Sequence, residues 1–226
     1  MTTRPFFFGI LVFAALVSCD FVEALPIRFL PLNDAIAARS IGIEDENGLT
    51  QLRDLNAKKR SKAYTCTIGD TPLALLALDR QRPNGKPSGV DVIIPAGMKS
   101  PLVLMIQDDE HATGLSTFVT EDDVAAFAWG TLRFVNTTDM MLMIRCDKET
   151  KPLAAAVSTI DIALEGDSRN IGVQIFAEEK PDLILFSAIW EYDPNIRKVV
   201  VITAVDGSES EELALEIIPQ DQRTGN

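Results

Sequence analysis

Apolar residues in this chain fall into short runs, several alternating with polar positions, and the runs are separated by residues that favour turns. Asn47-Gly48, Pro83-Asn84-Gly85, Asp193-Pro194-Asn195 and Asp206-Gly207 all punctuate it. Gly and Asn tolerate positive φ, and Pro presets the first turn position. Between such points lie Val90–Pro95, Leu102–Ile106, Leu132–Asn136, Met140–Cys146, Thr159–Leu164, Ile171–Ala177, Leu183–Trp190 and Lys198–Ala204. Short apolar runs bounded by turn residues predict strands. Lys198-Val-Val-Val-Ile-Thr-Ala204 is rich in the β-branched residues that pack on a pleated surface.

One stretch breaks the pattern. Thr120-Glu-Asp-Asp-Val-Ala-Ala-Phe127 has a Thr cap, acids in its first turn and helix formers after them, with Gly130 to end it. Those acids complement the positive end of a helix dipole, so the spacing predicts a short helix over residues 121–128.

A weak internal echo groups the strands. Ile27-Arg-Phe-Leu, Tyr64-Thr-Cys-Thr and Leu132-Arg-Phe-Val each open a strand closing on a polar turn, and each is followed by another apolar strand. With seven strand candidates in the second half, near the immunoglobulin-like number, the chain reads as all-β. The expected architecture is two tandem immunoglobulin-like β-sandwich domains, over residues 25–112 and 130–220. A connecting segment at 113–129 carries the short helix, and residues 221–226 form a tail. One larger β-sandwich is the alternative. Hairpins such as Arg133-Phe-Val-Asn-Thr-Thr-Asp139 resemble those of secreted immunoglobulin-like modules of bacterial envelopes, a resemblance that carries no site.

The amino terminus has a different character. Arg4 precedes an apolar run from Pro5 to Val17, too short for a membrane span of about 20 residues but suited to a secretory signal peptide. Val22-Glu23-Ala24 offers a small-x-small cleavage site, making residues 1–24 the leader and Leu25 the first mature residue. Leu16-Val-Ser-Cys19 resembles a bacterial lipobox and makes Cys19 the alternative, lipidated start. The expectation is an exported protein, periplasmic or extracellular, or else lipid-anchored through Cys19, with no transmembrane segment in the mature chain.

Charge narrows the partners. The chain carries a formal charge of −12, and loss of Arg4, Asp20 and Glu23 with the leader makes it −11. Such a body is repelled by nucleic acid and by anionic membrane surfaces, leaving a protein or a glycan as the expected partner. Past the leader, Cys66 and Cys146 are the pair available for a disulfide.

Candidate chemistry is sparse. His111 is the single histidine, so neither a His-Glu-x-x-His metal site nor a Gly-x-Ser-x-Gly elbow can be written. Asp108, Asp109 and Glu110 are the best placed of several acidic clusters for calcium, which takes oxygen ligands. Trp129, Trp190 and Tyr192 are the candidates for stacking on a sugar. The basic run Lys58-Lys-Arg-Ser-Lys62 breaks the acidic trend and can meet an anionic polymer or guard a strand edge. Asn136-Thr137-Thr138 fits the glycosylation acceptor pattern. No cofactor is expected. These features favour non-enzymatic binding or scaffolding, ahead of a carbohydrate-binding module and then a carboxylate-dependent hydrolase.

Overall fold

The computed structural model describes residues 23–69, 72–82, 85–205 and 212–224. Residues 1–22 of the leader expected over 1–24, Cys19 included, lie outside the described residues, as do Pro83-Asn84 and Asp206-Gly207 of the expected turns. The chain is all-β, as the hydrophobic pattern predicts. Its first half contains β1 (Glu23–Pro31), α1 (Asp34–Ala37), β2 (Ile41–Asp45), β3 (Gly48–Gln51), β4 (Tyr64–Ile68), β5 (Ala74–Gln81), β6 (Pro87–Asp91), β7 (Pro101–Gln107) and β8 (Leu115–Glu121). The second half contains β9 (Thr131–Asn136), β10 (Leu142–Cys146), β11 (Glu149–Leu153), β12 (Ser158–Ala163), β13 (Arg169–Ala177), β14 (Ile184–Tyr192), β15 (Ile196–Ala204) and β16 (Leu213–Asp221).

These strands form four sheets of four, ordered β4-β1-β7-β8, β3-β2-β5-β6, β12-β9-β15-β16 and β11-β10-β13-β14. Strand β1 runs parallel to β7, and β9 parallel to β15. Counted from the start of each half, both halves put their first strand between the fourth and the seventh, and their fifth between the second and the sixth. The two halves therefore repeat one strand order. The internal echo is correct in pairing Ile27 with Leu132, since β1 and β9 are equivalent. Tyr64 opens the fourth strand of its half and corresponds instead to Ser158.

Three hydrophobic cores separate the four sheets. Ile27, Phe29, Ile43, Leu75 and Val103 belong to the core between the two sheets of the first half. Phe134, Ile144, Val173 and Val200 belong to the matching core of the second. The third core joins the halves: Leu30, Leu102 and Leu104 meet Val135, Val199, Val201 and Ile218 around Phe127. Strands β1, β7, β9 and β15 are thus covered on both faces. This explains why β9 is buried along its whole length and β7 nearly so, where a strand with one wet face alternates. Each such side chain, fully buried, contributes about 1.5–3 kcal/mol.

Two expectations about the seam need correction. No helix forms over residues 121–128; Asp123 Oδ1 accepts from Ala125 N, and the Asp123 carbonyl accepts from Ala126 N and Phe127 N, giving one isolated turn. The carbonyls of Asp122 and Phe127 go instead to Arg197, so tertiary bonds displace the helical ladder. The one helix among the described residues is α1, capped by the side chain of Asn33, which accepts from Ile36 N. The second correction concerns the connecting segment expected over residues 113–129. Residues 108–114 join β7 to β8, and β8 completes a sheet of the first half, so the connection between halves is residues 122–130. Gly130 ends it at φ +77°, where a Cβ would sit 2.7 Å from the Tyr192 hydroxyl.

Candidate functional site at the junction of the halves

The sequence-predicted site residues scatter. Cys66 lies in the core of the first half and Cys146 in that of the second, both as free thiols, so the expected bridge is not formed. Burial, with help from Asp45, pushes the Cys66 thiol up to about 11; burial, with Asp147 and Glu149, takes Cys146 to about 12. Neither is an available thiolate near neutral pH.

Asp108, Asp109 and Glu110 occupy the β7–β8 hairpin without converging. Asp108 Oδ1 accepts from the backbone N–H groups of Glu110 and His111, and Asp109 accepts from Gln107 Nε2. Among the described residues no three His, Cys, Asp or Glu side chains come together as a cation cage. His111 Nδ1 lies 2.7 Å from Thr113 Oγ1 within the same hairpin.

The three aromatics serve packing. Trp190 stacks on Phe134 at 6.2 Å and tilts against Phe186 at 6.1 Å, over the second core. Tyr192 is buried, and its hydroxyl donates to the Leu164 carbonyl at 2.7 Å. Trp129 is half-buried under the Arg197 guanidinium. They do not present the coplanar exposed set that a sugar ring needs. Asn136 is also fully buried, its amide donating to the carbonyls of Met140 and Ala154, so the glycosylation pattern is inaccessible in the fold.

What the fold assembles instead is a basic junction. Arg60 forks onto Asp122, its Nε 2.9 Å from Oδ2 and its Nη2 3.1 Å from Oδ1. Arg197 reaches the same carboxylate at 3.6 Å and donates from Nη1 to the carbonyls of Asp122 and Phe127. Arg133 forks onto Asp161 and donates to Thr120 Oγ1 and the Glu121 carbonyl. The Phe127 ring lies between the two guanidinium groups, 4.1 Å from Arg133 and 4.9 Å from Arg197. An aromatic face attracts cations, so Phe127 is both an apolar plug and a support for buried charge.

Charge at this junction is unbalanced. Burial lowers Arg197 to about 10; Asp122 opposes that fall, while Arg60, Arg133 and Arg28 add to it. Four arginines thus influence one another around two carboxylates, Asp122 and Asp161. The neighbouring Glu121 carboxylate is bonded by four backbone N–H groups, from Lys99, Ser100, Asp122 and Asp123.

Beside this junction opens a cleft of about 650 Å³. Its first-half wall carries Arg28 and the run Lys58–Lys62; its second-half wall carries Ile196, Pro219, Gln220, Asp221 and Thr224. Five lining side chains are cationic and one, Asp221, is acidic. Asp221 is itself bonded at both oxygens by Arg223. The basic run is legible in sequence. Arg28, Asp122 and Arg197 were missed; Arg28 alone carries a signal, as a single charge between the apolar residues Leu25–Ile27 and Phe29–Leu30. No protein-family model matches the chain, and no curated protein matches it.

Proposed function

We propose that this is an exported, non-enzymatic binding protein that holds a ligand in the cleft between its halves. The observation that carries the reading is the cleft itself. Its volume of about 650 Å³ is in the range of about 300–1,000 Å³ common for small-ligand sites. Walls drawn from both halves let one ligand contact strand β1, the β3–β4 loop and the end of strand β16 together. Each half is read as an immunoglobulin-like sandwich unit in strand number, with its own order of strands. Sandwiches suit binding because rigid sheets fix the loops that line a site.

The non-enzymatic part of the reading rests on how reactive groups are used. Both thiols are desolvated, Asp108 and Glu121 accept from backbone donors, and Asp122 is held by Arg60 and Arg197. Export is supported by the leader pattern. Free release is preferred to a lipid anchor because β1 begins at Glu23, which leaves almost no tether after Cys19. No helix among the described residues is long and apolar enough to cross a membrane.

Hydrogen–deuterium exchange tests the site. The purified chain is compared with and without a small-molecule and glycan fraction of its native envelope. Protection confined to residues 58–62 and 219–224 supports the cleft; protection elsewhere, or none, overturns it. The intact mass of the protein from its host tests the export reading, with Leu25–Asn226 expected and a lipidated Cys19 overturning free release.

A further inference from the structure

We infer that the cleft is built for a soluble polyanion of roughly disaccharide size, carrying at least two phosphate or carboxylate groups. The inference rests on the cleft being the binding site and names the chemistry of what it holds. Its first support is internal to the fold. Ile27-Arg28-Phe29 of β1 and Leu132-Arg133-Phe134 of β9 are equivalent, and both arginines point into the layer between the halves. In the second half the cross-strand partner of Arg133 is Asp161, which takes its guanidinium in a two-pronged bond. In the first half β1 pairs with β4 through Ile27↔Tyr64. Beyond that pair the chain facing β1 is Ser61-Lys62-Ala63, whose Ser61 N–H donates to the Phe29 carbonyl and which carries no carboxylate. The duplicated arginine keeps its place, has no carboxylate partner among the described residues, and lines the cleft. A ligand oxyanion would stand where Asp161 stands in the other half.

The second support is the company Arg28 keeps. Lys59 has no carboxylate partner among the described residues, and Lys62 sits over the Tyr64 ring, 5.2 Å from its centroid. Lys58 meets Glu216 only at 3.9 Å with both side chains solvated. These cations line one wall of a concave, partly desolvated space, which focuses the potential on a small ligand. The overall charge of −12 meanwhile repels a broad anionic surface, so a compact soluble polyanion fits better than a membrane. One bound anion would satisfy Arg28; a second is needed to use Lys59 and Lys62.

Isothermal titration with inorganic triphosphate is the test, with acetate as the monovalent control. Binding is expected for triphosphate, absent for acetate and weakened by added salt. The double variant Lys59→Glu/Lys62→Glu, both on exposed positions, is expected to lose about tenfold or more in affinity. The Lys148→Glu control, in the β10–β11 turn, is expected to keep it. Equal affinity in the two variants, or no triphosphate binding, overturns the inference. Sedimentation with phosphatidylglycerol vesicles would overturn the soluble source. If triphosphate is silent while the envelope fraction still protects residues 58–62 and 219–224, the polyanion falls and the cleft stands; if both are silent, both fall.

Discussion

Asp122 is the residue on which the junction turns. Its side chain is 1% exposed and serves Arg60 and Arg197, themselves 6% and 2% exposed. Two buried guanidinium groups without a carboxylate are far more costly than the intact cluster, because desolvation remains while the attraction is lost. Asp122→Asn is therefore expected to lower stability by about 3–5 kcal/mol. The check is urea unfolding followed by tryptophan fluorescence, where an unchanged midpoint would show the ion pairs to be dispensable. At this scale the sequence was least legible. Asp122 reads as one more acid in Glu121-Asp122-Asp123, and only the approach of Arg60 and Arg197 from distant positions distinguishes it.

Among the elements, the end of β8 shows how one carboxylate organises a turn. Burial works to raise the Glu121 carboxyl, but four backbone N–H bonds outweigh it and hold the group below its ordinary value. Asp79 is held low by its bond to Arg39, and Asp193 and Asp221 by backbone and arginine donors. A carboxyl with a folded pKa below its unfolded value of about 4 stabilises the fold above that value. That contribution disappears as pH falls through the folded pKa. The urea midpoint is expected to be flat from pH 7 to 5 and to fall below about pH 4. Glu121→Gln is expected to make that acid limb shallower, since the substituted group no longer titrates; an acid limb of the same slope would remove Glu121 from the account. The same element explains the absent helix. Thr120 to Phe127 has helical propensity, yet its acids and carbonyls find partners in Lys99, Ser100 and Arg197, and local preference gives way to tertiary bonds.

Across the whole molecule, the shared core decides whether the halves behave as one body. Phe127 is fully buried at its centre, between Arg133 and Arg197. Phe127→Ala is expected to cost about 3–5 kcal/mol and to leave the two guanidinium groups over a void. Calorimetry is expected to show one transition for the parent chain and two for the variant, as the halves lose their coupling. A single transition in both would mean that the outer cores alone set cooperativity.

Strand existence was legible because it depends on local pattern: Lys198–Ala204 and Leu132–Asn136 declare themselves by β-branched content and bounding turns. The all-β class and the partial echo of Ile27 with Leu132 follow from the same short-range information. Which face each strand buries was not legible, because a strand covered on both sides is apolar throughout and its periodicity says nothing of its neighbours. The placement of Cys66 and Cys146 in different cores, the tying of Asp122 to Arg60 and Arg197, and the gathering of Arg28 with the Lys58–Lys62 run were decided by tertiary structure alone. Each depends on residues far apart in the chain, and distance in space between such residues is set by sheet order, which hydrophobic periodicity does not encode.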